Sequence, residues 1–169
     1  PSKQDLFAAV VDDVVERYGR ALEVPLDPDA DVADSLRLMG RALLKTIHSQ
    51  PIIDLHRLTI GEAGRFPELA RVFHERGPAR GKARLQQYVR EAMARGKLRQ
   101  GDAADAVRLF SGMLLTGSVQ LHMLGLIDEP GTAELERELE VAVDAFLRAW
   151  SHEPSSGTIA PHAIAGDRP

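Results

Sequence analysis

The chain has 169 residues, which suits one compact domain and leaves too little for a second. Its 44% hydrophobic and 27% charged residues exclude both general disorder and a membrane protein. Because cysteine is absent, disulfides, thiolate catalysis and thiolate metal sites are excluded, and a reducing compartment, the cytoplasm, is the expected location.

The net charge of −4 is unevenly distributed, since residues 71–99 hold nine Lys and Arg against two Glu. Such a cluster could attract nucleic acid or another anion. It could equally be the solvated face of a helix, because Arg80, Arg84 and Arg95 recur at helical spacing opposite Leu85 and Val89. We prefer the solvated face.

Apolar residues recur with helical periodicity along the chain, and no stretch alternates as a strand does. The predicted helices cover residues 1–22, 32–47, 51–64, 67–77, 78–95, 102–127 and 132–152. Ser2 and Asp5 form a capping-box pattern, and Gly96 is the expected left-handed stop residue. Residues 153–169 are rich in Pro, Gly and Ser and are predicted to be a disordered tail.

The last two predicted helices are joined by a short loop and should form an antiparallel hairpin. Helix 102–127 is apolar on two sides, so both sides need covering. We therefore predict an all-α multi-helix bundle whose C-terminal hairpins pair into a homodimeric four-helix bundle. The candidate interface residues are Phe110, Leu114, Gly117, Leu121, Leu139, Val143, Phe146 and Trp150. Alternatively, the helices between residues 32 and 95 cover both sides within one chain.

The sequence contains no phosphate-binding glycine loop, nucleophile elbow, zinc motif or di-iron motif. None of its six histidines is spaced for pairing along a helix. We therefore predict no catalytic residue, metal or cofactor, and a helical enzyme is the least favoured hypothesis. No apolar segment is long enough to span a membrane.

Aromatic residues, methionines and buried histidines are suited to an adaptable apolar pocket. His56 and His122 could each face a cavity or be satisfied core or surface histidines, and the aromatic residues could equally be core. The candidate ligand-binding residues are His56, Ile60, Phe66, Phe73, Tyr88, Met113, Gln120 and Met123.

Two stretches resemble a known family. Residues 1–11, PSKQDLFAAVV, resemble the helix that follows the recognition helix in TetR-family transcriptional regulators. Residues 57–69, RLTIGEAGRFPEL, followed by Phe73 and by ERGP at residues 75–78, resemble the C-terminal domain of one branch of that family. With the helix order, the similarity covers about residues 1–150.

The resemblance implies a regulator, expected to be a repressor relieved by a small hydrophobic or amphipathic effector. Residues 1–22 would be the helix after the recognition helix, and residues 23–152 the ligand-binding and dimerisation domain. Ser2 and Lys3 match positions that meet DNA phosphates. Operator DNA is expected as a partner only if the DNA-reading helices, which this sequence does not contain, are present. The alternative is a stand-alone helical dimer that binds a small molecule and has no DNA role.

Overall fold

The computed structural model describes residues 2–152, without the side chains of residues 3, 4 and 21, and the described part is all-helical. The helices are α1 (Lys3–Gly19), α2 (Val32–Ile47), α3 (Gln50–Ala63), α4 (Pro67–Arg76), α5 (Pro78–Ala94), α6 (Ala103–Leu115), α7 (Ser118–Met123) and α8 (Thr132–Trp150), with a 3-10 turn after α1 (Arg20–Leu22). The all-α class is confirmed. Among these described helices, none has the length and apolar character needed to cross a membrane. The predicted tail lies outside the described residues.

The predicted helix ends at Ser2 and Gly96 are confirmed. The amide of Ser2 donates to Asp5 Oδ2 at 2.8 Å, and the amide of Asp5 donates to Ser2 Oγ at 3.1 Å. These two groups of Ser2 hold the pKa of the Asp5 carboxyl below its ordinary value. Gly96 has a φ of 70°, which glycine adopts without the steric cost that a Cβ would bring.

The prediction of one continuous helix over residues 102–127 is wrong. α6 ends at Leu115, Thr116 is extended, and Gly117 has φ 65° and ψ −120° before α7 begins. That backbone conformation is open to glycine and closed to other residues by Cβ clashes. The apolar periodicity continues through the break, so the sequence pattern conceals it. The other six predicted helices are found, and only the sixth, residues 102–127, is divided, into α6 and α7.

The apolar interior consists of two clusters. The larger one is built mainly from α2, α5, α6 and α8, with Leu36, Val89 and Phe110 among its fully enclosed members. The smaller one joins α1, α3 and α4, and its buried members are Phe7, Val11, Leu55 and Leu69. Val14 packs against both.

The closing helix α8 lies close against α2 because Gly40 leaves room for it. A Cβ on Gly40 would come within 2.4 Å of Leu139 Cδ1. Two forked ion pairs flank this contact. Arg37 donates to both carboxylate oxygens of Glu140 at 2.8 and 3.0 Å, and Arg41 donates to both of Glu136 at 2.5 and 2.6 Å. The hairpin is therefore fixed to α2 by packing and by paired charges.

Substitution of Gly101 by alanine tests the packing at the other end of α8. The new Cβ would lie 2.6 Å from Cζ3 of Trp150, whose indole is buried and is covered by the Arg99 guanidinium at 4.2 Å. We expect a loss of about 1–3 kcal/mol of unfolding free energy, because a rigid ring must move. Urea denaturation measures it. The control is Gly61→Ala, whose Cβ meets nothing within 4 Å and which should be neutral or stabilising.

Candidate functional site

The structure places six of the predicted interface residues inside the core of a single chain, so this part of the prediction is wrong. They are at most 5% exposed: Phe110, Leu114, Leu139, Val143, Phe146 and Trp150. The reason is that α5 and α8 of the same chain pack against α6, and that Phe110 and Leu114 lie beside Gly40 of α2. The other two candidates, Gly117 and Leu121, are at the surface, where Leu121 is 41% exposed.

The hairpin presents a different set of apolar side chains outward. On α6, Leu109 is 48% exposed and Met113 is 38% exposed. Between them Gly112 is open, since nothing lies within 4 Å of the position a Cβ would take. On α8, Val141 is 66% exposed. We call these four residues the outer hairpin face.

The short helix α7 is held at both ends by charged side chains from other helices. At its start, the amide and hydroxyl of Ser118 donate to the Glu138 carboxylate of α8 at 3.3 and 2.6 Å. At its end, Arg57 of α3 donates to the carbonyl oxygens of His122 and Met123 at 2.6 and 2.8 Å. A helix of six residues is too short to be stable by itself, so these contacts fix its position.

Two buried histidines connect α7 to the end of α2. The Nδ1 atoms of His48 and His122 are 3.0 Å apart, and His48 Nε2 is 3.2 Å from Ser118 Oγ. His48 is fully buried and His122 is 4% exposed. Burial, reinforced by His122, lowers the pKa of His48. Together with Ser118, Glu138 and Arg57, these histidines form what we call the α7 clamp.

Little in the amino-acid sequence indicates the α7 clamp. The histidine pairing joins residues 74 positions apart, whereas spacing rules test only local pairs. The apolar surroundings of His122 did single it out, as a histidine that could face a cavity or be a satisfied core or surface residue. No comparable feature distinguished His48, Arg57 or Glu138.

Three of the predicted ligand residues meet in the smaller cluster. The His56 ring lies edge-on to Phe73 with centroids 4.7 Å apart, and Phe66 packs against the same cluster. His56 Nδ1 donates to the Ile52 carbonyl at 2.9 Å. Because Nδ1 carries the proton, the neutral ring has its lone pair on Nε2. Burial lowers the pKa of His56 and so favours this neutral form.

The other five ligand candidates lie elsewhere, so the eight residues do not share one pocket. Tyr88 is buried in the larger cluster, and Met123 packs against it. Ile60, Met113 and Gln120 are exposed. An open groove of about 440 Å³ contains none of the eight. It is lined by residues 29–33 and by Lys97, Leu147 and Ser151.

Much of the basic segment is used in contacts within the chain, which supports the structural interpretation over a nucleic-acid patch. Arg84 donates to the carbonyls of Leu22 and Val24 at 3.3 and 2.7 Å. Lys97 donates to the Ala30 carbonyl at 2.8 Å. Two further members form ion pairs with acids of the first thirty residues: Arg76 with Asp12, and Arg95 with Asp29.

The predicted phosphate contacts, Ser2 and Lys3, lie at the start of α1. The Ser2 hydroxyl accepts from the Asp5 amide and so caps the helix. The side chain of Lys3 lies outside the described part of the chain. A phosphate contact at this position stays a prediction.

The described part is an all-helical domain with an outward-facing apolar hairpin and a small second core next to its first helix. Comparison with known proteins shows the family to which such a domain belongs here. Residues 34–152 match the C-terminal domain of the AefR-like transcriptional repressors. The chain belongs to the TetR family of transcriptional regulators, a family of regulators and not of enzymes.

Solved structures support this assignment. The flavonoid-responsive regulator FrrA is 33% identical with a TM-score of 0.79, covering 92% of this chain and 78% of its own. A TetR transcriptional regulator from Agrobacterium tumefaciens is 27% identical with a TM-score of 0.69, covering 90% of this chain and 74% of its own. A TetR-family transcriptional regulator from Pseudomonas syringae pv. tomato is 21% identical with a TM-score of 0.70. The match covers 89% of this chain and 75% of that regulator, which shares the fold. No curated protein matches the sequence.

Proposed function

We propose that this chain is the effector-binding and dimerisation part of a repressor, and that two copies associate through the outer hairpin face. The observation that carries the proposal is that large apolar side chains stay exposed on α6 and α8 although the core of the chain is complete without them. The regulatory role itself follows from the family. Because such a regulator acts where its operator DNA is, we place it in the cytoplasm. Ser2 and Lys3 are the proposed phosphate contacts.

The energetics favour association. Because Leu109, Met113 and Val141 are 48%, 38% and 66% exposed, covering them would contribute about half of the value for full burial, or about 0.7–1.5 kcal/mol for each side chain. A two-fold axis doubles each of these contributions, because each residue contributes once from each copy. Gly112 would let the two α6 helices approach closely.

We place the effector site in the smaller cluster, around His56, Phe66 and Phe73. This cluster has four buried members, so it has fewer contacts to lose on opening than the larger one. It adjoins α1, which packs mainly against α4 and is tied to it by the Arg76–Asp12 ion pair. A ligand inserted between α3 and α4 would therefore move α1, the helix that carries the proposed phosphate contacts.

The residues of this cluster suit an aromatic effector. Phe66 and Phe73 offer ring faces and edges, and the acceptor Nε2 of His56 could bind a hydroxyl group. The relative FrrA is described as flavonoid-responsive, which supports a planar phenolic ligand here. We propose an effector of this chemistry, within the broader class of small hydrophobic or amphipathic molecules.

A thermal-shift screen tests this site. Flavonoids, single-ring phenols and saturated fatty acids should be compared, and we expect a planar phenolic compound to raise the Tm, since a ligand at about 100 times its Kd stabilises by about 2.7 kcal/mol. Phe73→Ala should abolish the shift by removing a wall of the site. Ile60→Ala should retain it, because Ile60 is 66% exposed and outside the cluster. Equal shifts in both variants would place the ligand elsewhere.

A further inference from the structure

The α7 clamp contains a buried chain of hydrogen bonds whose direction can be derived. Ser118 Oγ has one hydrogen, and it is given to the Glu138 carboxylate at 2.6 Å. The serine oxygen must therefore accept from His48 Nε2 at 3.2 Å, so this nitrogen carries the proton. In neutral His48 the other nitrogen, Nδ1, is then an acceptor.

The same argument fixes the second histidine. His48 Nδ1 faces His122 Nδ1 at 3.0 Å, and the two rings are almost parallel, with 11° between their planes. For a hydrogen bond to exist, His122 Nδ1 must carry the proton. The chain then runs from His122 through His48 and Ser118 to Glu138, and each proton has one acceptor.

We propose that the α7 clamp is an acid-sensitive release, in which protonation of His48 frees α7 from α2. A proton added to His48 Nδ1 would face the N–H of His122 at 3.0 Å, so the hydrogen bond in its present direction would be lost, and forming it again would require His122 to move its proton to Nε2. The added charge would also be enclosed at a fully buried position. The break at Gly117 lies directly before α7, so α7 can move without bending a continuous helix. This input is additional to the effector and does not depend on it.

Charged groups around the pair act in opposite directions. Glu138 and Glu134 of α8, and Glu129 of the preceding loop, favour a charged His48. On the side of α3, the guanidinium of Arg57 binds the His122 carbonyl and is paired with Asp54. His122 itself, from α7, and burial both disfavour the charge, and burial is the largest cause of the lowered pKa of His48. The described residues offer no third ligand that would make the pair a metal site.

The pH dependence follows from this lowered pKa. Since His48 is harder to protonate in the closed chain than in the open one, its contribution is complete above its ordinary pKa of 6.5 and is lost as the pH falls through the lower value. Between the two values, the constant for opening α7 rises by up to about tenfold per pH unit for one proton. Leu121 is carried on α7, so its exposed side chain would move on release.

Local hydrogen exchange tests the proposal on the full chain. Protection factors of residues 118–123, corrected for intrinsic exchange, should be measured at several values between about pH 5 and pH 8, the range in which histidine titrates. We expect protection in wild type to fall as the pH drops below 6.5, by up to about tenfold per pH unit. Nitrogen-15 spectra of the histidine rings should show the proton on Nε2 of His48 and on Nδ1 of His122.

Three variants separate the possible causes. His48→Gln keeps a donor toward Ser118 but cannot titrate, so its α7 protection should be independent of pH. His122→Asn keeps a donor toward His48 and should retain the pH dependence. His56→Gln removes the other histidine with a lowered pKa and should also retain it. The proposal would be overturned if α7 protection still fell with decreasing pH in His48→Gln, or if this pH dependence were lost in His56→Gln.

If a variant does not fold, the nitrogen-15 spectra and the hydrogen exchange of the wild-type chain still test the proposal. A His48 ring that titrates at or above its ordinary pKa would overturn the proposal, and so would a His48 proton found on Nδ1. Unchanged α7 protection across the range would do the same.

Discussion

Replacing Phe146 by alanine should lower the free energy of unfolding by about 3–5 kcal/mol, which is a large share of the roughly 5–15 kcal/mol of a whole domain. Phe146 is 1% exposed. Its ring lies edge-on to Phe110 at 5.6 Å between centroids, and stacked on Trp150 at 6.3 Å. Truncation removes both ring contacts and leaves a cavity in the larger cluster. Urea denaturation at several protein concentrations measures the loss.

An exposed apolar residue, Leu6, provides the control for Phe146→Ala. Leu6→Ala removes an apolar side chain that is 65% exposed, and its effect should stay within about 0.5 kcal/mol. The Phe146 variant should keep the wild-type tendency to associate, because its ring belongs to the core of one chain. If the Phe146→Ala variant were as stable as wild type but its dimer dissociated, Phe146 would belong to the dimer interface and not to the core of one chain.

Replacing Leu109 by arginine should convert the proposed dimer into single chains. About half of Leu109 is left to bury, so losing its burial once from each copy amounts to about 1.5–3 kcal/mol, which raises the dissociation constant by about one to two orders of magnitude. The fold of each chain should be retained, because Leu109 is 48% exposed and outside the core. Sedimentation velocity over a dilution series measures the change.

Leu38→Arg is the matched control for this substitution. Leu38 has a similar exposure, 42%, but lies on α2 and is not one of the residues of the outer hairpin face. The same charge placed there should leave association unchanged. Equal dissociation of both variants would indicate a general effect of charge and would argue against an interface at Leu109.

Helix positions could be predicted from the sequence because they depend on local patterns. The reciprocal bonds of Ser2 and Asp5 and the left-handed Gly96 are both set by residues within a few positions of each other. The break between α6 and α7 was missed for a physical reason. It depends on a φ of 65° at Gly117, which glycine permits but does not require, and on Glu138 receiving the donors of Ser118.

The covered side of α6 could not be predicted, because the choice depends on tertiary packing. Both sides carry large apolar residues, and periodicity alone ranks Phe110 no differently from Met113. The close contact of Gly40 with Leu139 brings α8 onto α2 and encloses the side that carries Phe110. The predicted hairpin is therefore present, but its outward residues are Leu109, Met113 and Val141.

The candidate site was predicted in part. His56, Phe66 and Phe73 do gather, because α3 and α4 are consecutive and short connections bring them together. Tyr88 and Ile60 were chosen by residue type alone and lie in different environments, one buried and one exposed. The histidine pair required a contact across 74 residues that no local rule supplies.

The mass of the wild-type chain in solution tests the central proposal most directly. Sedimentation equilibrium at micromolar concentration should give twice the 18.5 kDa mass of the chain. The Leu109→Arg variant, measured under the same conditions, should give the mass of one chain. A wild-type mass of one chain at every concentration would contradict association through the outer hairpin face.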